Sequence, residues 1–187
     1  MSADFYSYED TRRAQQKADP GFRANPSYSY VQSDADLEAA IAPLLTAKIL
    51  AIDTETTGRD PYTDRLRLVQ LATPNQPVII IDLFAVKDCH LLKHLLRGDA
   101  LKIGHHFKFD WQFLNQAGMS PSGPFFDTQL AFKVWTAGIK IRSSLQAVVM
   151  KVLEIDLDKD QQQSDFSQSN LTPKQLQYAA MDAAILL

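Results

Sequence analysis

At 187 residues and 45% hydrophobic content, the chain is long enough to bury one real core. A formal charge of −3 excludes a protein that coats nucleic acid through bulk basicity, though cations bound at an acidic site can still supply local positive charge. The single cysteine, Cys89, rules out an internal disulfide framework; with no membrane-length apolar run and no basic-then-apolar order after Met1, a cytoplasmic location is expected.

Residues 1–30 read as an irregular, loosely held leader broken by Pro20, Gly21 and Pro26, with Tyr6, Tyr8, Tyr28 and Tyr30 scattered through it. The folded domain is expected over 31–187. Ser33 opens a helix through Leu37, Ile41 and Leu44-Leu45. Three strands follow: the apolar run 48–53, the partly alternating 65–72 and the isoleucine-rich 78–82. Turn chemistry at Thr73-Pro74-Asn75-Gln76-Pro77 joins the last two, so the three strands read as an antiparallel meander.

Beyond the meander the pattern predicts a helix near 85–97, a short strand over 101–104 and a helix over 108–117. Asp127 caps a helix through Leu130, Phe132 and Val134; Ser143 and Gln146 form a capping-box pair for a helix ending near Leu153. Thr172, Pro173 and Gln175 give a third start signal, at N-cap, N1 and N3. A meander followed by helices and at least one more strand is an α/β sandwich with a mixed central sheet.

Chemistry concentrates in carboxylates at three separated places. Asp53 and Glu55 stand where the apolar run Ile49-Leu50-Ala51-Ile52 ends, and two residues apart on a strand they project from one face. Tyr178 and Asp182 lie four apart, on one face of the last helix. Asp110, on the helix after the fourth strand, completes the set if the fold brings it in. Acids in such a place are expensive to desolvate unless paired, and divalent ions held by carboxylates remove that cost. Two such ions are a common device for cutting phosphodiesters.

The stretches Leu50-Ala51-Ile52-Asp53-Thr54-Glu55-Thr56-Thr57-Gly58, Gly104-His105-His106-Phe107-Lys108-Phe109-Asp110 and Leu176-Gln177-Tyr178-Ala179-Ala180-Met181-Asp182 resemble the motifs of the DnaQ-like superfamily of 3′-5′ exonucleases. The branch is the tyrosine-bearing (DEDDy) one, with ribonuclease D, Werner-type exonucleases and the proofreading domain of bacterial family A DNA polymerases. A histidine-bearing member would place His where Gln177 stands. Phe126-Asp127-Thr128, Leu157-Asp158-Lys159 and Ser164-Asp165-Phe166 also resemble family stretches, and the likeness runs from about Tyr30 to Leu187.

The resemblance implies a ribonuclease H-like fold, metal ligation by Asp53, Glu55, Asp110 and Asp182, and a water-orienting role for Tyr178. It implies two Mg²⁺ or Mn²⁺ ions as cofactors and release of 5′-mononucleotides from single-stranded 3′ ends. Thr54, Thr56, His105, His106 and Lys108 are the candidate substrate contacts. DNA is the preferred strand, with ribonuclease D-like trimming of RNA 3′ ends as the alternative; a non-catalytic relative that binds nucleic acid or protein is the rival of another class. Three departures stand out: His106 where Asn is usual, Phe166 where Trp is frequent, and a chain ending five residues after Asp182. The last suggests a truncated final helix and a polymerase or other domain in a longer parent protein.

The remaining residues take plainer readings. His90 and His94 lie on an exposed amphipathic helix face. Arg65 and Arg67, alternating with Leu66 and Leu68, form a solvated face. Phe107 and Phe109 pack, as do Met150, Val152 and Leu153, which are read as core.

Overall fold

The structure is a computed structural model that describes residues 25–137, 139–157 and 164–187; the leader residues Tyr6, Tyr8, Pro20 and Gly21, and Asp158-Lys159, lie outside them. Its elements are β1 (Tyr28–Val31), α1 (Asp34–Ile41), β2 (Ile49–Thr56), β3 (Leu66–Ala72), β4 (Val78–Asp82), α2 (His90–Arg97), β5 (Leu101–Gly104), α3 (Lys108–Gln116), β6 (Phe125–Asp127), α4 (Thr128–Trp135), α5 (Leu145–Leu153) and α6 (Pro173–Ala184). The strands form one mixed sheet in the order β1-β4-β3-β2-β5-β6. The predicted meander is present: β2 pairs antiparallel with β3, and β3 with β4. β5 and β6 extend it in parallel on the β2 side, and β1 lies parallel to β4 at the far edge. Among the described residues no helix is long and apolar enough to cross a membrane.

β2 divides the core between its faces. Leu50 and Ile52 pack with α1, α2 and α3 on one side. Ala51 meets α6 on the other, beside Leu68, Ala72 and Ile80. Ala179, Ala180 and Ala183 are the α6 residues buried there. Their small side chains let the helix axis approach the sheet closely, and this brings Asp182 within reach of β2.

Several expectations need correction. Tyr28 and Tyr30 belong to β1 rather than to an irregular leader. Their pairing with Val78 and Ile80 is long-range and leaves no local signal. α1 stops at Ile41 because Pro43 turns the next residues into a 3₁₀ turn, Ala42–Leu44. α2 begins at His90, not near 85. Ser144, not Ser143, caps α5 by accepting from the Ala147 N–H, while the Gln146 amide donates to Asp156 and to the Leu157 carbonyl.

Arg67 is buried, not solvated: it pairs with Asp82 at 2.9 Å and donates to the carbonyls of Gln168 and Ser169. The paired carboxylate offsets the desolvation cost that made burial look unfavourable. The Tyr30 hydroxyl donates to the same Asp82 at 2.6 Å, so burial and this acid push its phenol up to about 12. Met150, Val152 and Leu153 are 43, 51 and 48% exposed, not core. α5 turns Val148 and Val149 inward instead. His90 and His94 are exposed as expected, and Phe107 is buried.

Candidate active site at the end of strand β2

Asp53 and Glu55 leave β2 on the face covered by α6, and Asp182 comes down from the last turns of that helix. One carboxylate oxygen from each of these three residues lies within 4.8 Å of the others. All three remain partly accessible, as a site open to a ligand must be. α6 is held in register by its own start. Thr172 accepts from the Gln175 N–H, the Gln175 side chain accepts from the Thr172 N–H, and the buried Gln175 amide donates to the Asp165 carbonyl.

Asp110 approaches from the other layer. It is 4% exposed on α3, and the Thr54 hydroxyl donates to it at 2.5 Å. Thr54 sits between the two acids of β2 and points to the opposite face, so one strand end touches both layers. Thr56 directs its hydroxyl to the Gly58 carbonyl at 2.5 Å.

Like charges gathered in a desolvated place resist ionisation. Burial, then Asp110, Asp182 and Glu55, hold the Asp53 carboxyl well above the ordinary range. Burial, then Asp182 and Asp110, do the same to Glu55. Burial pushes Asp110 up to about 7 and Asp182 to about 6, the latter restrained by its hydrogen bond with Tyr178. The Tyr178 phenol is itself driven above its usual value by burial and then by Asp182. A cluster of hard oxygen donors whose mutual repulsion is unrelieved fits a divalent cation of the Mg²⁺ or Mn²⁺ kind.

The turn before α3 is built with care. Gly104 lies so close to the Phe107 ring that a Cβ there would collide with it. His106 has φ 58°, in the left-handed region where Asn, Asp and His are the favoured side-chain-bearing residues. That backbone requirement explains why His can stand where Asn is usual. Asp127 then clamps the turn: one oxygen accepts from the His106 N–H at 3.1 Å, the other from the Phe107 N–H at 2.9 Å. The same carboxylate caps α4 by accepting from Gln129 and Leu130. Sequence reading found the cap and missed the clamp, which joins residues 20 positions apart.

His105 has both ring nitrogens engaged, Nδ1 with the Thr128 hydroxyl at 2.9 Å and Nε2 with the Ser143 carbonyl at 3.0 Å. His106 is exposed, with Nδ1 3.1 Å from the Gln129 amide oxygen. Lys108 is exposed at the start of α3. The structure thus gathers Asp53, Glu55, Asp182 and Tyr178 directly, sets Asp110 beside them through Thr54, and ties His105 into the scaffold.

A family model described as a 3′-5′ exonuclease matches residues 28–187. DNA polymerase I of Aquifex aeolicus is 36% identical over 159 residues, covering 85% of this chain and 26% of that protein. Escherichia coli RNase D superposes with a TM-score of 0.76 at 27% identity, covering 86% of this chain and 42% of that one. Brucella melitensis NrnC bound to pGG superposes with a TM-score of 0.72 at 28% identity, covering 86% and 76%. The chain spans only about a quarter of the polymerase's length, 26%.

Proposed function

The chain belongs to the 3′-5′ exonuclease family, and we propose that it removes mononucleotides from the 3′ ends of single-stranded nucleic acid by metal-dependent hydrolysis. The observation that carries this is the meeting of Asp53, Glu55 and Asp182 oxygens within 4.8 Å, with Tyr178 facing Asp182. Asp53, Glu55 and Asp182 would hold one divalent ion, and Asp110 with Asp53 would serve a second. Such ions, when bound, polarise the scissile phosphodiester and lower the pKa of water.

The chain's own groups do the rest. Tyr178, like any phenol, keeps its proton at neutral pH, the more so for its burial beside Asp182, and would orient the attacking water rather than abstract from it. Thr54 would fix the Asp110 carboxylate beside Asp53 by donating to it. In this reading Thr56 and the exposed His106 and Lys108 would contact the strand, while His105, bonded to Thr128 and Ser143, would steady the scaffold. DNA is the preferred strand in this reading, in line with the 36% identity to a DNA polymerase. RNA trimming is the second reading, in line with the likeness to RNase D.

End-labelled single-stranded DNA and RNA, incubated with Mg²⁺ or Mn²⁺, test the proposal. A ladder descending by one nucleotide, abolished by EDTA and absent from Asp53→Ala, is expected. Strands left whole by the parent protein would instead indicate a non-catalytic binding domain. In the same assay Tyr178→Phe should slow cleavage while metal uptake persists; an unchanged rate would remove the water-orienting role.

A further inference from the structure

We propose that the α4–α5 region is the track on which the single strand lies as it runs back from the carboxylate site, with its phosphates on cations and its bases on exposed apolar side chains. The inference rests on the exonuclease reading and supplies the surface that grips the substrate.

From Thr128 to Leu153 the sequence carries four cations, Lys133, Lys140, Arg142 and Lys151, and no aspartate or glutamate. The rest of the chain then holds 15 lysines and arginines against 22 acids. Ordinary solvated faces intersperse both signs, so an acid-free stretch of this length in a net acidic protein suits an anionic partner. Lys133, Lys140 and Arg142 are exposed. Among them stand Val134, Trp135, Ile139 and Ile141, at 77, 59, 68 and 41% exposure. Cations alternating with uncovered aromatic and aliphatic surface suit a single strand, whose backbone needs charge and whose bases need flat apolar contact.

The position of this surface decides between anionic partners. Thr128 and Ser143 hold the two ring nitrogens of His105, and the Gln129 amide donates to the Ser143 carbonyl at 3.1 Å. The region is therefore fastened to the turn that leads to Asp110. On its other side Val149 of α5 packs against Ile185, with Met181, the neighbour of Asp182, beside them. A basic, partly apolar surface is thus joined directly to the carriers of both proposed catalytic acids, Asp110 and Asp182, and this connection is the ground for laying the strand on it. A lipid headgroup would have no reason to be presented there.

The full chain in EDTA, with 5′-labelled single-stranded 12-mers and 3-mers of DNA and RNA, provides the test by fluorescence anisotropy. Lys140→Glu with Arg142→Glu should weaken 12-mer binding at least ten-fold and bring the 12-mer to 3-mer affinity ratio towards one. Losing two phosphate contacts should also lower the slope of log affinity against log salt by about 1.4. Trp135→Leu should weaken the 12-mer and remove most of the tryptophan quenching that the parent shows on binding. Circular dichroism and Mn²⁺ uptake check that each variant is folded.

Parent-like 12-mer affinity and salt slope in the charge-reversed variant would overturn the track. So would a parent that binds phosphatidylglycerol vesicles but no strand, or a parent dimer that the substitutions dissociate without changing strand affinity. A protein that binds strands here but never cuts them keeps the track and refutes the exonuclease reading. One that cuts them, with binding indifferent to these substitutions, does the reverse.

Discussion

Helices α6 and α3 each bring one aspartate to the end of β2, and they are held there by different means. α6 carries its own instructions: a capping box at Thr172 and Gln175, alanines that lie flat on the sheet, and Tyr178 one turn before Asp182. α3 has no side-chain cap of its own. Its Asp110 is placed by Thr54, 56 positions away, and by Asp127, which grips the turn ahead of it from 20 positions downstream. A proposed ligand set by local sequence should fail only when its helix is broken or displaced. A ligand set by distant bonds should fail gradually as each bond is removed.

The sharpest way to break this comparison is at the proposed ligand itself. Asp182→Ala should abolish cleavage outright with little loss of fold, since it removes a donor and relieves repulsion; cleavage at any sizeable fraction of the parent rate would contradict the site. Next comes the helix that carries it. Ala180 is fully buried against the sheet, so Ala180→Leu should overpack the contact, lower stability by about 1–3 kcal/mol and weaken Mn²⁺ uptake together. Thermal melts with and without Mn²⁺ would read both effects.

Asp127→Ala should act more mildly on chemistry. Loss of a group that orients a ligand from behind typically lowers activity about 10–100-fold. Asp127→Asn, which keeps an acceptor oxygen, should recover part of it. The Asp53–Glu55–Asp182 trio does not depend on this clamp, so Mn²⁺ should still bind; its complete loss would show that α3 and α6 are not independent.

The last effect bears on stability against pH and not on cleavage. Asp110 and Asp182 have folded values of about 7 and about 6, above the ~3.9 of a free aspartate. A raised carboxylate contributes stability that is present below its unfolded value and is lost as pH climbs through the folded one. The metal-free protein should therefore melt at lower temperature as pH rises from 5 to 8. Saturating Mn²⁺ should offset that loss at the alkaline end, and Asp182→Asn should shrink the pH slope.

The same contrast explains what could be read from the chain alone. β2, the meander, α6 and its cap were legible because apolar runs, turn residues and capping pairs are local signals. The carboxylates were legible because Asp53 with Glu55, and Tyr178 with Asp182, sit at spacings that put each pair on one face. β1 and the three-residue β6 exist only through pairing with distant strands, so nothing nearby announced them. Arg67 looked solvated because its partner Asp82 lies on the next strand. Met150, Val152 and Leu153 have the hydrophobicity of a core but not its place: α5 turns Val148 and Val149 inward and leaves these three out. The alanines of α6 were in plain view and carry a usable signal, a small-residue face one turn from an acid.

Calorimetric titration of Mn²⁺ into chelator-free protein near pH 7.5 tests the central claim most directly. The account predicts uptake of two ions with release of protons from the raised carboxylates, reduced in Asp110→Asn and lost in Asp53→Asn. Absence of binding by the parent protein, or uptake unchanged by Asp53→Asn, would contradict it.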